Sequence, residues 1–159
     1  AIAMPNPHLV TFVEKMDQGT LVRIGSICES APDWLPNRAN VSFVRALGEE
    51  AIYVRTFERG VGLTDSCGSA MAASVFAAAL TGRVSFDHEV TVRNKGGLVT
   101  ARAEGDGMVA LSGNATWEWE GAVSVDLSSG VAGDLAVTRH FNEEIAAWAK
   151  VAETSAAAG

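Results

Sequence analysis

The chain has 159 residues, 48% of them hydrophobic, and a formal net charge of −7. That length suits one domain with a sizeable core, and the acidic balance argues against a nucleic-acid-binding surface. No apolar run is long enough to span a membrane, since the longest, from Ala70 to Leu80, is broken by Ser74. No charged segment leads into an apolar stretch, so a secretory leader is not expected. Cys28 and Cys67 lie far apart and in no metal-ligand spacing. A disulfide framework is therefore not expected, and a reducing, cytoplasmic setting is.

HLVTFVE at 8–14 is apolar and β-rich and predicts a buried strand. Residues 20–31 predict a short helix, with Leu21, Ile24 and Cys28 on one face and Pro32 and Pro36 beyond its end. Residues 40–58, NVSFVRALGEEAIYVRTFE, read as a hairpin turning at Gly48-Glu49-Glu50. Residues 68–80 are small or apolar on every side, the pattern of a helix surrounded by protein, and Gly82 is a natural stop. From 83 to about 127 the segments VSFDHEVTVRN, LVTARAE, MVALSG, ATWEWE and AVSVDL read as strands, separated by KGG, GDG, GN and EG turns. A second helix is expected over 134–155, from Phe141, Ile145, Trp148 and Ala152, with Asn142 as N-cap and residues 156–159 frayed. The fold class expected is α+β: an antiparallel or mixed sheet, mostly hairpin-connected, wrapped around one buried central helix. Residues 1–130 form the main domain and 131–159 a C-terminal helical extension.

The stretch ERGVGLTDSCGSAM at 58–71 places Cys67 at the mouth of the buried helix. A helix start offers unpaired N–H groups and a dipole that stabilise a thiolate. Gly68 and Ser69 leave room for an anion to reach those N–H groups, and Glu58 and Arg59 add one acid and one permanent cation. On these grounds alone a nucleophilic or basic sulfur and a small buried cysteine are equally admissible. Cys28, on the apolar face of its helix, reads as packing; His88 and His140 read as surface residues, and Trp117, Trp119 and Trp148 as core or interface anchors.

This stretch resembles the motif ERGxGETxACGTGA of the diaminopimelate epimerase family, cofactor-independent amino-acid racemases and epimerases that use two cysteines. PNPHLV at 5–10 resembles that family's GNPHxV, NVSFV at 40–44 its NVxFV, and residues 90–121 its last strands. Four elements in order make the resemblance specific, and it is to the C-terminal half of that family. It implies no pyridoxal phosphate and no metal. One thiolate removes the α-proton of a small amino-acid substrate, and a second thiol returns a proton on the opposite face. By that resemblance Cys67 is one acid/base thiol, His8 and Glu58 tune the thiols, and Asn6, Asn40, Glu58, Arg59, Gly68 and Ser69 contact substrate. Arg59 would hold a distal carboxylate.

The family's other cysteine lies in a DGNxCGNGxR-like segment that this chain lacks. The chain is thus expected to be half of an enzyme, inactive without an N-terminal half that is its main protein partner. Leu63 replaces a family Glu, Pro5 a Gly, Ser69 a Thr and Ala70 a Gly, while Asp65 and Ser66 replace apolar or small residues beside the thiol. Asp65 would oppose a thiolate unless it points outward or caps the helix. The helix at 134–155 has no counterpart in the family pattern; it would cover a sheet edge or pair two copies into a homodimer. Diaminopimelate is the first substrate expected and another amino acid the second. Two further readings stay open: a cysteine hydrolase built on Cys67, His8 and Asn40, and a non-catalytic binding module.

Overall fold

A computed structural model describes residues 1–159. Strands β1 (Ile2–Met4) and β2 (Asn6–Phe12) lead to helix α1 (Gln18–Glu29), then to β3 (Asn40–Ala46), β4 (Ala51–Glu58) and β5 (Gly62–Thr64). Helix α2 (Gly68–Leu80) precedes β6 (Val90–Asn94), β7 (Gly97–Ala103) and β8 (Val109–Gly113). The chain closes with β9 (Trp119–Asp126), β10 (Val131–His140) and α3 (Asn142–Ala156). The main sheet runs β1-β2-β3-β4-β6-β7-β8, with β5 paired to β4; β9 and β10 form a separate ribbon.

The expected sheet around one central helix is what forms. Helix α2 touches every strand along the path from β1 to β8, both edges included, so the sheet curls around it. Its sequence explains the fit. Alanines dominate, nine of its residues are buried, and small side chains let strands approach from all directions. Val44, Ile52, Val54, Val90 and Val92 of the strands pack there against Met71, Val75 and Ala78. Gly82 takes φ +68° just past the helix, the left-handed stop expected of it.

Strand alternation sends Val41 and Phe43 to the other side of β3, where Leu21 and Cys28 of α1 complete a second cluster. The molecule is therefore layered: α2 inside the curl, α1 and α3 outside. Asp17 caps α1, its carboxylate accepting the Thr20 amide at 2.9 Å. Two connections differ from the expected hairpins. β2–β3 and β4–β6 pair in parallel, and α1 and α2 are the helices of those crossovers.

The C-terminal third also differs. Residues 131–140 form strand β10, so the helix begins at Asn142, with Phe141 rather than Asn142 at the cap position. β9 runs unbroken through Glu120-Gly121, where a turn was expected. The strand sequence VAGDLAVTRH abuts the helical pattern that follows it, and no break in periodicity marks the border. Residues 83–89 are turns, and only 90–94 of the expected VSFDHEVTVRN strand is a strand. Nor is the tail frayed: Ser155 is buried, and the Ala158 carbonyl accepts from Arg45 Nη2. Trp117 and Trp119 are exposed, which rules out the core half of the expectation and leaves the interface half, and Val123, Val125, Leu135 and Val137 of the ribbon are exposed as well. His88 and His140 are exposed as expected. No helix is long and apolar enough to cross a membrane.

Candidate active site

Sheet register assembles the motif residues. His8 lies opposite Asn40 across β2–β3, and the β3–β4 pairing sets Val41 opposite Phe57, which brings Asn40 beside Glu58. Segments far apart in sequence thus meet at one end of the sheet: the start of β2, the start of β3, the end of β4. β5 folds back along β4, with Thr64 opposite Thr56, and delivers the chain to Cys67 at the mouth of α2.

Cys67 is half-buried and occupies the N-cap position in extended backbone, φ −145°. The first bond of the helix runs from Met71 N–H to the Cys67 carbonyl, so the amides of Gly68, Ser69 and Ala70 precede it and have no partner within the helix. Cys67 Sγ lies 3.6 Å from Ser69 Oγ. A narrow crevice with no room for a water molecule reaches the cysteine between Thr56, Thr64, Ser66, Met71 and Asn94.

Burial raises the Cys67 thiol pKa above its ordinary value; the Ala70 amide and Ser69 hydroxyl pull it down, and the Glu58 carboxylate pushes it up again. The helix-start effect expected from sequence is present, but desolvation outweighs it and favours the protonated sulfur. Removing the charge at Glu58 is expected to shift this balance. In Glu58→Gln, alkylation of Cys67 should accelerate at neutral pH by about twofold or more, as the thiolate fraction rises. A rate profile against pH that does not move would remove Glu58 from the thiol's surroundings.

Glu58 is held in turn. Its Oε1 accepts the Thr64 hydroxyl at 2.5 Å. His8 is fully buried, with Nε2 3.0 Å from Asn6 Oδ1. Because that oxygen only accepts, Nε2 carries the proton, and Nδ1 is left buried and without a partner. Burial lowers the His8 pKa and the Glu58 charge partly restores it. The folded chain thus resists a proton that the unfolded chain accepts. This contribution is intact above the unfolded pKa of about 6.5 and is lost as pH falls through it toward the lower folded value. Melting temperatures of His8→Gln should accordingly fall less than wild type between about pH 7 and pH 5. Equal slopes would refute the assignment.

Asn40 Oδ1 accepts the Arg59 amide at 2.8 Å, and Arg59 Nη1 donates to the Asn37 carbonyl at 3.0 Å. The other guanidinium N–H groups stay available to an anion. Asp65, a threat to any thiolate on sequence grounds, points outward. It pairs with Lys95 at 3.1 Å and with Arg55 at 3.5 Å, and the Lys95 hydrogen bond is the main cause that keeps its pKa low. Sequence reasoning missed Glu29 at the end of α1, whose two oxygens take Arg38 Nη1 at 2.6 Å and the Gly60 amide at 3.0 Å. It braces the Glu58-Arg59-Gly60 turn across a gap of thirty-one positions that no local pattern signals. Thr64 was visible inside the motif and given no role.

Residues 1–118 match the model of the family described as diaminopimelate epimerase. The chain belongs to the diaminopimelate epimerase family. Proteins named diaminopimelate epimerase are 42% identical over 130 residues in Clostridium acetobutylicum and 41% over 132 residues in Listeria monocytogenes serovar 1/2a. Each alignment covers 79% of this chain and 39% and 40% of the relative, respectively. The relative in Enterococcus faecalis is 38% identical over 156 residues, 90% of this chain and 48% of that protein. The chain thus spans less than half the length of these family members. A phenazine biosynthesis protein of the PhzF family from Bacillus anthracis shares the fold, with a TM-score of 0.55 at 18% identity, covering 85% of this chain and 50% of that one. The residues gathered at that end of the sheet all lie within the matched span.

The hydrolase arrangement does not form. No hydrogen bond joins His8 to Cys67, and the Asn40 oxygen is occupied by the Arg59 amide rather than by an imidazole. A cysteine nucleophile needs its base within hydrogen-bond reach.

Proposed function

We propose that the protein containing this chain is an amino-acid epimerase that inverts the α-carbon of diaminopimelate by proton transfer between two sulfurs, without pyridoxal phosphate or metal. The observation that carries this reading is Cys67 at the mouth of α2, beside amides that no helical carbonyl takes up. The family relatives' name supports the substrate.

In this mechanism the substrate's α-carboxylate accepts from the Gly68 and Ser69 amides, and its α-carbon stands against the Cys67 sulfur. A thiolate on the far face takes the α-proton. The electron pair left on carbon takes the proton of the Cys67 thiol, and the negative charge ends on Cys67. The reverse direction exchanges these roles. A Cys67 thiol that burial and Glu58 keep protonated suits the acid role. The developing carbanion is stabilised electrostatically by the fixed amides. Asn6 and Asn40, with Arg59 on the distal carboxylate, complete substrate binding, and His8 and Glu58 set the sulfur's proton affinity.

Cys28 is not the second sulfur. It is 1% exposed, packed with Leu21, Val41 and Phe43 on the outer side of the sheet, and burial raises its pKa. We place the second thiol in an N-terminal half outside these 159 residues. The uncovered apolar residues of the β9–β10 ribbon are consistent with a covering body of that kind. The test follows solvent deuterium into the α-position of diaminopimelate, with the intact protein and with residues 1–159 alone. Exchange by the intact protein and none by the isolated chain is expected. An acyl adduct on Cys67 without exchange would establish the hydrolase instead, and binding without exchange a non-catalytic module.

A further inference from the structure

The turn between β6 and β7 grips the loop that carries Cys67. Gly96 N–H donates to the Asp65 carbonyl at 2.9 Å, and the Lys95 ammonium pairs with the Asp65 carboxylate. Asn94, itself buried, donates from Nδ2 to Ser66 Oγ at 3.1 Å and to Met71 Sδ at 2.9 Å. The approach is close enough that a Cβ on Gly96 would stand 3.2 Å from Ser66 Cβ and 3.3 Å from the Asp65 carbonyl oxygen. Residues 65, 66 and 71 flank Cys67 on both sides, so the thiol's position depends on where this turn sits.

The turn is itself fixed from outside the sheet by α3. Ser155 is fully buried; its Oγ accepts the Asn94 amide at 3.2 Å and donates to the Gly97 carbonyl at 2.5 Å. The indole of Trp148 lies on Gly97, which takes φ +136° and whose missing Cβ would fall 2.5 Å from Trp148 Cζ2. The α3 end is anchored further along, where Arg45 donates to the Ala158 carbonyl and supplies the cation that the helix's last turn lacks. α3 lies beyond residues 1–118, the part matched by the family model.

We propose that α3 is a positioning element for the active-site thiol, acting through the chain of contacts Ser155, Asn94, Ser66 to the loop before Cys67. Ser155 and Asn94 are positioning residues, neither touching the sulfur. The proposal rests on the reading of Cys67 as the proton-transfer thiol for its purpose, though not for its geometry. Released from this clamp, the 65–67 loop moves outward and the sulfur loses part of the cover that Ser66 and Met71 give it.

The test measures the alkylation rate of Cys67 in the intact protein at fixed pH by iodoacetamide, with the modified cysteine identified by peptide mass. Ser155→Ala, Asn94→Ala and Ser66→Ala are compared with Val84→Ala. The last makes a cavity among core residues near the far end of α2. Each of the first three is expected to raise the Cys67 rate by about threefold or more, as cover and order are lost. The double variant of Ser155 and Asn94 should add little to either single one, as residues in one chain of contacts behave. Val84→Ala should lower the melting temperature and leave the rate within about twofold, since it touches no part of the chain. Should Ser155→Ala and Asn94→Ala fail to fold, Ser66→Ala decides, because Ser66 is exposed. Rates unchanged in the folded variants, or raised as much by Val84→Ala, overturn the proposal. Deuterium exchange on the same samples separates the two claims. Raised reactivity with no exchange even in wild type upholds the positioning role and rejects the epimerase.

Discussion

Cys67→Ala in the intact protein is expected to reduce α-deuterium exchange by at least about a thousandfold, while the variant stays folded. A positioned acid or base contributes roughly 10²–10⁴-fold to proton transfer. The upper part of that range applies here because one sulfur serves as acid in one direction and base in the other. Stability should change little, since the side chain is only half-buried. Cys67→Ser supplies a sharper form of the same experiment. The hydroxyl preserves the shape and the contact with Ser69, but it is far less acidic than a thiol, so exchange should stay close to the alanine level. Recovery in the serine variant would make residue 67 a hydrogen-bonding contact and not the proton carrier. Melting temperatures run beside the kinetics separate loss of chemistry from loss of fold.

The largest effect on stability is expected at Gly25, where alanine should destabilise rather than stabilise. In an exposed helix interior this change gains about 0.5–1 kcal/mol, because alanine has less freedom to lose on folding. Gly25 is buried where α1 crosses β4. A Cβ there would run into Phe57 Cγ and stand 2.7 Å from Phe57 Cβ, so rotating the ring does not clear it and backbone must shift. Forcing extra carbon into a packed core costs about 1–3 kcal/mol. The upper part of that range outweighs the propensity gain and leaves a net loss of about 2 kcal/mol, or roughly 4–8 °C in melting temperature. The displacement also reaches the site, since Phe57 precedes Glu58 and Glu29 on the same helix braces Gly60. Exchange should therefore fall as well as stability. A melting temperature equal to or above wild type would mean that α1 does not lie against β4 as described.

These two residues illustrate what the sequence reveals and what it leaves unread. The place of Cys67 at the mouth of a buried helix was legible from local pattern (a glycine-spaced turn, a cysteine, then small residues on every side), whereas its role was not, since that pattern admits a packed cysteine equally. The same stretch, with PNPHLV and NVSFV, carries the family resemblance, and sheet register then brings those three segments to one end. Gly25 was not legible, because a helical glycine looks alike whether it faces solvent or the ring of a residue on a distant strand. Asn94 and Ser155 share that difficulty: they meet sixty-one positions apart, and although Asn94 falls in the family-like stretch 90–121, nothing local aims it at Ser155. The balance of forces on the sulfur is a further part that sequence leaves unread. Helix-start amides are visible in sequence, whereas burial, which dominates here, follows from tertiary packing. The C-terminal third went wrong at β10, where alternating and helical patterns abut without a glycine or proline between them, at Arg139-His140-Phe141.

The most direct measurement is a crystal structure of the intact protein with diaminopimelate bound. One carboxylate is expected on the amides of Gly68 and Ser69, with the α-carbon within about 4 Å of Cys67 Sγ, the reach that proton transfer requires. A ligand whose carboxylate lies away from the mouth of α2, or whose α-carbon faces no sulfur from Cys67, would contradict the assignment of this cysteine.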